Sequence, residues 1–266
     1  MFLKIVVLAK QVPDTRNVGK DAMKEDGTVN RAALPAIFNP DDMNALEQAL
    51  RLKDQYPNVT VELLTMGPDR AAEIIREGLF RGADGGVLLS DRKFAGADTL
   101  ATSYALAQAI RKMQPDMVLA GRQAIDGDTA QVGPQVAAKL NWPQVTYAQE
   151  IMGFKDDHII IKRRLEQGVE LVSSPLPLVI TVHGSAAPCR PRHAQRLIKY
   201  KKAMVLPWSV GDVGGDEGKY GLTGSPTRVK KIENIVFQVK ETKRLSASEE
   251  EITDLFRELI HQHTIG

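Results

Sequence analysis

The sequence predicts an α/β fold: an open, doubly wound, mostly parallel sheet with an antiparallel extension, followed by a C-terminal arm with a terminal helix. Three observations predict it. Up to Gly121, short β-branched runs alternate with segments of helical periodicity, the pattern of parallel strands joined by crossovers. Between Gln144 and His183, four strand-like runs follow one another with short polar turns, the pattern of antiparallel hairpins. Beyond them, a basic stretch and a Gly-rich segment lead to one amphipathic helix.

The elements follow in order. Leu3 to Ala9 reads as a buried strand, its apolar run bracketed by Lys4 and Lys10. Asn39-Pro40-Asp41-Asp42 opens a helix that runs to Tyr56. Asn39 suits the N-cap, Pro40 suits the first helical position, and the two acids complement the positive helix end. Met43, Leu46, Ala49 and Leu50 follow at helical spacing, and Pro57 closes the element. Val59 to Met66 is a strand, Asp69 to Phe80 a helix stopped by Gly82, and Val87 to Ser90 a strand. Asp98 or Thr99 opens a helix to Met113, Pro115 ends it, and Met117 to Gly121 is the next strand. Gln144 to Ile151, His158 to Arg163, Gly168 to Val172 and Leu178 to His183 are predicted to extend or cap the sheet as antiparallel hairpins. Arg190 to Lys202 is basic, and Gly211 to Gly224 reads as a Gly-rich loop. In the last helix Ser248 and Glu251 fit a capping box, and Ile252, Leu255, Phe256, Leu259 and Ile260 form an apolar stripe that must pack against something. The expected organisation is a nucleotide-binding α/β core over 1–185, a basic partner-facing segment with the Gly-rich loop over 186–225, and a C-terminal arm and helix over 226–266.

Composition narrows the function. At 43% hydrophobic and 26% charged residues the chain resembles ordinary globular proteins, not disordered, collagen-like or disulfide-scaffold ones. Lys plus Arg at 35 against Asp plus Glu at 33 excludes a surface wholly dedicated to nucleic acid or anionic lipid, so any anion site is local. Cys189, the sole cysteine, permits no intrachain disulfide and no Cys cluster for zinc, which fits a reducing compartment. No run approaches the ~20 apolar residues of a membrane span, and no secretory signal is visible, so a cytoplasmic location without a membrane span is expected. There is no GxxxxGK[ST]: Gly218-Lys219 comes near, but Val213 and Tyr220 break the pattern. GxGxxG, GxSxG and HExxH are also missing. His158, His183, His193, His261 and His263 are scattered, so neither a metal site nor a catalytic constellation is expected.

Ligands of open α/β sheets lie beyond the carboxyl ends of the strands. The segments after Ala9, Met66, Ser90 and Gly121 are therefore the ones to inspect, and only the last is unusual. Gly121, Arg122, Gln123, Ala124, Ile125, Asp126, Gly127, Asp128, Thr129, Ala130, Gln131, Val132, Gly133 and Pro134 leave a strand through small and polar residues into a helix start. Such a turn exposes amides, and free N–H groups of the following helix bind an anion without a lysine, which suits a phosphate or pyrophosphate. Read alone, Asp126 and Asp128 are also compatible with a plain turn and N-cap. Its position favours the ligand site, with Ala9, Asn39 and Met66 ending or following neighbouring elements. Arg190, Arg192, Arg196, Lys199, Lys201 and Lys202, interleaved with Leu197, Ile198 and Tyr200, suggest a docking surface for an acidic partner rather than RNA.

Four stretches together carry a family likeness: Lys10-Gln11-Val12-Pro13-Asp14, Asn39-Pro40-Asp41-Asp42, Asp91 to Thr99, and Ala120 to Pro134. The chain resembles the β subunit of electron transfer flavoproteins over nearly its whole length. The resemblance implies a heterodimer with an α subunit, on which the C-terminal arm packs. It also implies a nucleotide held by Ala9, Asn39, Asp41, Asp42, Met66 and the residues from Gln123 to Pro134. The one-FAD branch of that family holds AMP there and shuttles electrons. The electron-bifurcating branch holds a second FAD, and the small Gly127, Thr129 and Ala130 resemble that branch. By this likeness NADH reduces the flavin. One electron then goes to a low-potential acceptor such as ferredoxin or flavodoxin, and the other, through the α-subunit flavin, to an acyl-CoA dehydrogenase-like partner. Glu166 matches a family glutamate near the partner-facing region. Pro191-Arg192-His193-Ala194-Gln195-Arg196 is shorter than the mitochondrial-type recognition loop and lacks its leucine anchor, which implies a dedicated partner. From another class, a nucleotide-binding regulatory module of the universal-stress-protein type would share the scaffold, but its phosphate-loop glycine pattern is not found.

Overall fold

The computed structural model describes residues 2–14, 35–227, 245–246, 248–262 and 264–265. At its centre β1 (Leu3–Leu8) pairs in parallel with β4 (Val59–Met66) on one side and β6 (Met117–Gly121) on the other. β5 (Gly85–Leu89) continues the sheet beyond β4, and the two-residue β11 (Pro207–Trp208) completes that edge. On the other half, β10 (Leu178–Val182) follows β6, and β7 (Gln144–Lys155), β8 (His158–Leu165) and β9 (Gly168–Ser174) end the nine-stranded sheet. β2 (Gln11–Pro13) and β3 (Ala36–Phe38) form a separate antiparallel pair. The predicted fold class is the one observed.

Strand alternation divides the core. Ile5 and Val7 of β1 face α1 (Pro40–Gln55) and α2 (Ala72–Arg81), in a cluster with Leu46, Leu50, Leu63 and Ile75. Val6 and Leu8 face α3 (Thr99–Met113) and α4 (Val132–Leu140), in a cluster with Ala109, Ile110 and Val136. Both faces of β1 are therefore dry, as parallel strands require.

Three expectations need correction. Leu178 to His183 was expected among the antiparallel hairpins, but β10 lies between β6 and β7 and runs parallel to both. All five of its residues are buried, so it belongs under helices on both faces, whereas β8 and β9 carry exposed residues and do form hairpins. The predicted helix Asp69 to Phe80 starts as a 3-10 turn over Asp69–Ala71 before α2. The Gly-rich segment is folded rather than a free loop. Ser209 and Asp212 make a capping box on α6 (Val210–Val213), and Tyr220 is 1% exposed. Its ring meets Phe94 edge-on at 5.3 Å and Tyr104 at 5.1 Å, and its hydroxyl donates to the Gly214 carbonyl.

The basic stretch contains α5 (Ala194–Tyr200), a short helix against α2 that the sequence pattern did not reveal. Its arginines are held within the chain. Arg190 bonds Glu47 and Asp54, Arg192 pairs with Glu77, and Arg196 donates to the carbonyls of Leu79 and Ala83. The amphipathic α7 (Glu249–His261) has no buried residue, with Ile252, Phe256 and Ile260 all exposed. Among the described residues, no helix is long and apolar enough to cross a membrane. His263 lies outside the described residues.

Candidate functional site

The connections of β1 and β6 leave the sheet in opposite directions, so a crevice opens where their carboxyl ends diverge. Asp42, in the first turn of α1, sits across that point. Its carboxylate accepts the Lys10 amide at 2.9 Å and the Gly121 amide at 3.0 Å, tying the two strand ends together. Gly121 is required by this approach: a Cβ there would lie 2.5 Å from Asp42 Oδ1 and 2.6 Å from the Asp41 backbone. Burial pushes Asp42 up to about 7, against the pull of the amide hydrogen bonds. Burial also raises Asp41, partly offset by the nearby Arg122 guanidinium.

Asn39 does not cap α1 with its side chain, as its position had suggested. Fully buried, it crosses to the loop after β6, donating to the Gln123 carbonyl at 2.8 Å and accepting the Ile125 amide at 3.2 Å. A polar group without water satisfies itself where two complementary partners exist, and here they are across the crevice. Lys10 closes the same loop from β1, bonding both Asp126 oxygens at 2.8 Å. Gln123 reaches Asp128 at 2.8 Å within the loop.

The loop ends as an anion cradle. Asp128 and Ala130 have positive φ, and Gln131 then turns into the right-handed region at the start of α4. Among the described residues, no acceptor takes the amides from Thr129 to Gly133. Convergent free amides at a helix start stabilise negative charge. α4 packs close to the sheet because residue 133 is glycine: a Cβ there would meet Thr181 Cγ2 at 2.5 Å. The N-terminus of α3 borders the same space, with the Thr99 hydroxyl donating to Gln131 at 2.9 Å.

The resulting cavity has a volume of about 430 Å3. It is lined by Ala9, Asp42, Met66, residues 121–124 and residues 127–133 of the predicted set. Asn39, Asp41, Ile125, Asp126 and Pro134 stand behind or beside this lining. Sequence reading missed the opposite wall, from Phe94 to Thr102, although the Asp98-Thr99 helix start after β5 marked it. Leu8, Leu64, Met66 and Phe94 make part of it apolar. Lys10 is committed to Asp126, whereas Arg122 makes only a 4.0 Å approach to Asp41, and its Nε is buried without a hydrogen-bond partner. Glu166 is exposed in the β8–β9 turn, away from this cavity. A pocket of small residues, free amides, an apolar wall and one uncommitted guanidinium fits a nucleotide.

Comparison with known proteins agrees. An electron transfer flavoprotein domain profile matches residues 26–205. The chain is 46% identical to the electron transfer flavoprotein subunit beta of Megasphaera elsdenii, covering 86% of this chain and 87% of that protein. It is 45% identical to the caffeyl-CoA reductase-Etf complex subunit CarD of Acetobacterium woodii, over 85% of this chain and 86% of that one. It is 42% identical to the acryloyl-CoA reductase electron transfer subunit gamma of Anaerotignum propionicum, over 99% of this chain and all of that one. With one α/β architecture and end-to-end similarity of this order, the chain belongs to the electron transfer flavoprotein family, as a β subunit.

Proposed function

We propose that this β subunit holds FAD in the crevice and, paired with an α subunit, takes electrons from NADH. In this reading one electron goes to a low-potential acceptor of ferredoxin or flavodoxin type and the other to an acyl-CoA dehydrogenase-type partner. The observation that carries the reading is the loop from Gln123 to Pro134. Beside Gly127 there is open space, with nothing within 4 Å of where a Cβ would stand, and Thr129 and Ala130 are small. The loop thus leaves room for a ligand to extend past its amides. The acyl-CoA reductases named in two relatives support the choice of partner.

A bound flavin supplies the two-electron acceptance and one-electron release. The chain's residues bind and orient it. The amides from Thr129 to Gly133 hold the phosphates, the apolar wall takes the adenine, and Asp42 and Asn39 keep the strand ends and the loop in place. The exposed stripe of α7 suits docking on the α subunit. Arg190, Arg192 and Arg196, being committed internally, shape the partner-facing segment more than they contact a partner, and Glu166 remains free for one.

A second reading has its own support: the cavity's 430 Å3 lies near the low end for small-molecule sites, as an AMP-holding shuttle would need. Co-expression with the α subunit, denaturation, and quantification of released nucleotides separate the two. Two FAD and little AMP per heterodimer are expected; one FAD and one AMP would establish the shuttle instead.

A further inference from the structure

Asp42 is a buried carboxyl in a crevice that otherwise suits anions. It is 7% exposed, lines the cavity, and gives one oxygen to the Lys10 amide and the other to the Gly121 amide. No cation offsets it. Lys10 directs its ammonium to both Asp126 oxygens, and Arg122 approaches Asp41. Among the described residues, no ion pair reaches Asp42.

The charged groups around it come from several elements. Asp41 precedes it on α1, Lys10 follows β1, Arg122 follows β6, and Asp126 and Asp128 lie in the loop beyond. From the end of β10, His183 acts on Asp41. Across the crevice, burial raises Asp98, but the α3 amides and Thr227 donate to it and leave it below the ordinary range. Around Asp42 itself the neutral acid gains. Burial pushes it up to about 7, with Asp41 adding to the rise, while the Lys10 and Gly121 amides and Asn39 oppose it.

A nucleotide moves that balance further. Its phosphates bring fixed negative charge to the crevice, and its bulk excludes the water that still reaches the carboxyl; both penalise the ionised form. A carboxylate only accepts, whereas the acid has an O–H that donates to a ligand oxygen. The strand ends need not part for this. Each carboxyl oxygen has two acceptor directions, and the two amides take one on each.

We propose that a nucleotide enters the crevice together with one proton, which Asp42 holds for as long as the ligand is bound. The proton comes from solvent and forms one O–H bond on the carboxyl; release of the nucleotide returns it. The inference rests on the nucleotide site of the proposed function and adds that its occupancy depends on pH. Binding raises the carboxyl above about 7, so affinity is full below that value and falls as pH rises through it.

The test titrates FAD into the heterodimer depleted of the nucleotide this chain holds, by calorimetry in two buffers of different ionisation heat, from about pH 6 to about pH 8. FAD is the probe because its pyrophosphate does not titrate there. Wild type is expected to lose about tenfold in affinity across the range, as the acid fraction falls, and to take up close to one proton per FAD at the alkaline end. Asp42→Asn is expected to stay within about twofold across the range and to take up none. Asp42→Ser, neutral and hydroxyl-bearing, repeats the comparison where the amide side chain disturbs the strand ends. Asp41→Asn and His183→Gln are expected to keep the wild-type slope and uptake, whatever their affinity. Wild-type protein that binds FAD without proton uptake would overturn the inference, as would the same slope and uptake in Asp42→Asn and Asp42→Ser. Their disappearance in Asp41→Asn or His183→Gln alone would place the proton on that residue and overturn the assignment to Asp42. A wild-type crevice that takes AMP and not FAD would overturn the proposed function alone. The linkage is then read with AMP as the difference between wild type and Asp42→Asn, in which titration of the ligand's own phosphate cancels.

Discussion

Asp42 joins two strand ends by accepting the Lys10 and Gly121 amides, and burial holds its carboxyl at about 7. An unfolded aspartate titrates near ~3.9. Between those values the native chain keeps a proton that the unfolded chain has lost, so this group contributes stability that is fully present below about 4 and declines as pH rises to about 7. The span corresponds to up to about 4 kcal/mol. Asp42→Asn should flatten that part of the profile in denaturant unfolding measured across a pH series, with a loss of stability above it from the amide left unpaired. Gly121→Ala places a methyl group against Asp42 and the Asp41 backbone, and should cost roughly 1–3 kcal/mol. Gly127→Ala meets open space and should stay within about 0.5 kcal/mol of wild type. If thermal unfolding ranked the two alanines the other way, the close approach at the strand ends would not be the reason for glycine at 121.

At the scale of elements, Arg190, Arg192 and Arg196 tie the chain after β10 to α1 and α2 by ion pairs and hydrogen bonds, while Val210 and Tyr220 farther along are held by apolar packing. Glu47 is buried on α1; burial raises its carboxyl, but the Arg190 hydrogen bonds outweigh this and leave it below the ordinary range. Arg190→Ala leaves that carboxylate with only the residue-190 amide and Arg51 as partners, and a loss of about 2–4 kcal/mol is expected. The same substitution at Arg192, whose side chain is 55% exposed, should cost under about 1 kcal/mol. Similar losses for both would mean that the Glu47 pair is no more than a surface bridge. α7 presents the opposite case, an apolar stripe with no cover among the described residues. Phe256→Asp should leave the melting of the core unchanged and abolish co-purification with the α subunit; retention of the heterodimer would place the α subunit elsewhere.

Across the whole molecule, the site is a consequence of strand order. β1 sits centrally and its two neighbours are reached in opposite directions, which opens the crevice and brings the starts of α1, α3 and α4 to it. The loop from Gly121 to Pro134 was legible because it leaves a strand through small residues into a helix. The Phe94 to Thr102 wall was marked only by the helix start at Asp98-Thr99, and that this segment lies opposite the Gly121 to Pro134 loop is decided by the strand order. Residues 190 to 202 read as a docking surface for an acidic partner, since charge density is visible in a sequence but Glu47 and Glu77, which pair with Arg190 and Arg192, are distant in the chain.

The sequence by itself determined the α/β class, the alternation of strands and helices through Gly121, the loop that offers its amides, and the family likeness. These rest on local signals: apolar periodicity, caps, and glycine and proline positions, all of which act over a few residues. Only the tertiary structure decided that β10 enters the sheet between β6 and β7, that Asn39 serves the loop rather than its own helix, and that Tyr220 seals the Gly-rich segment. Each of these depends on which of several chemically adequate partners lies nearest, and that is set by long-range packing, where the choice between competing contacts is made by burial and shape rather than by neighbours in the chain.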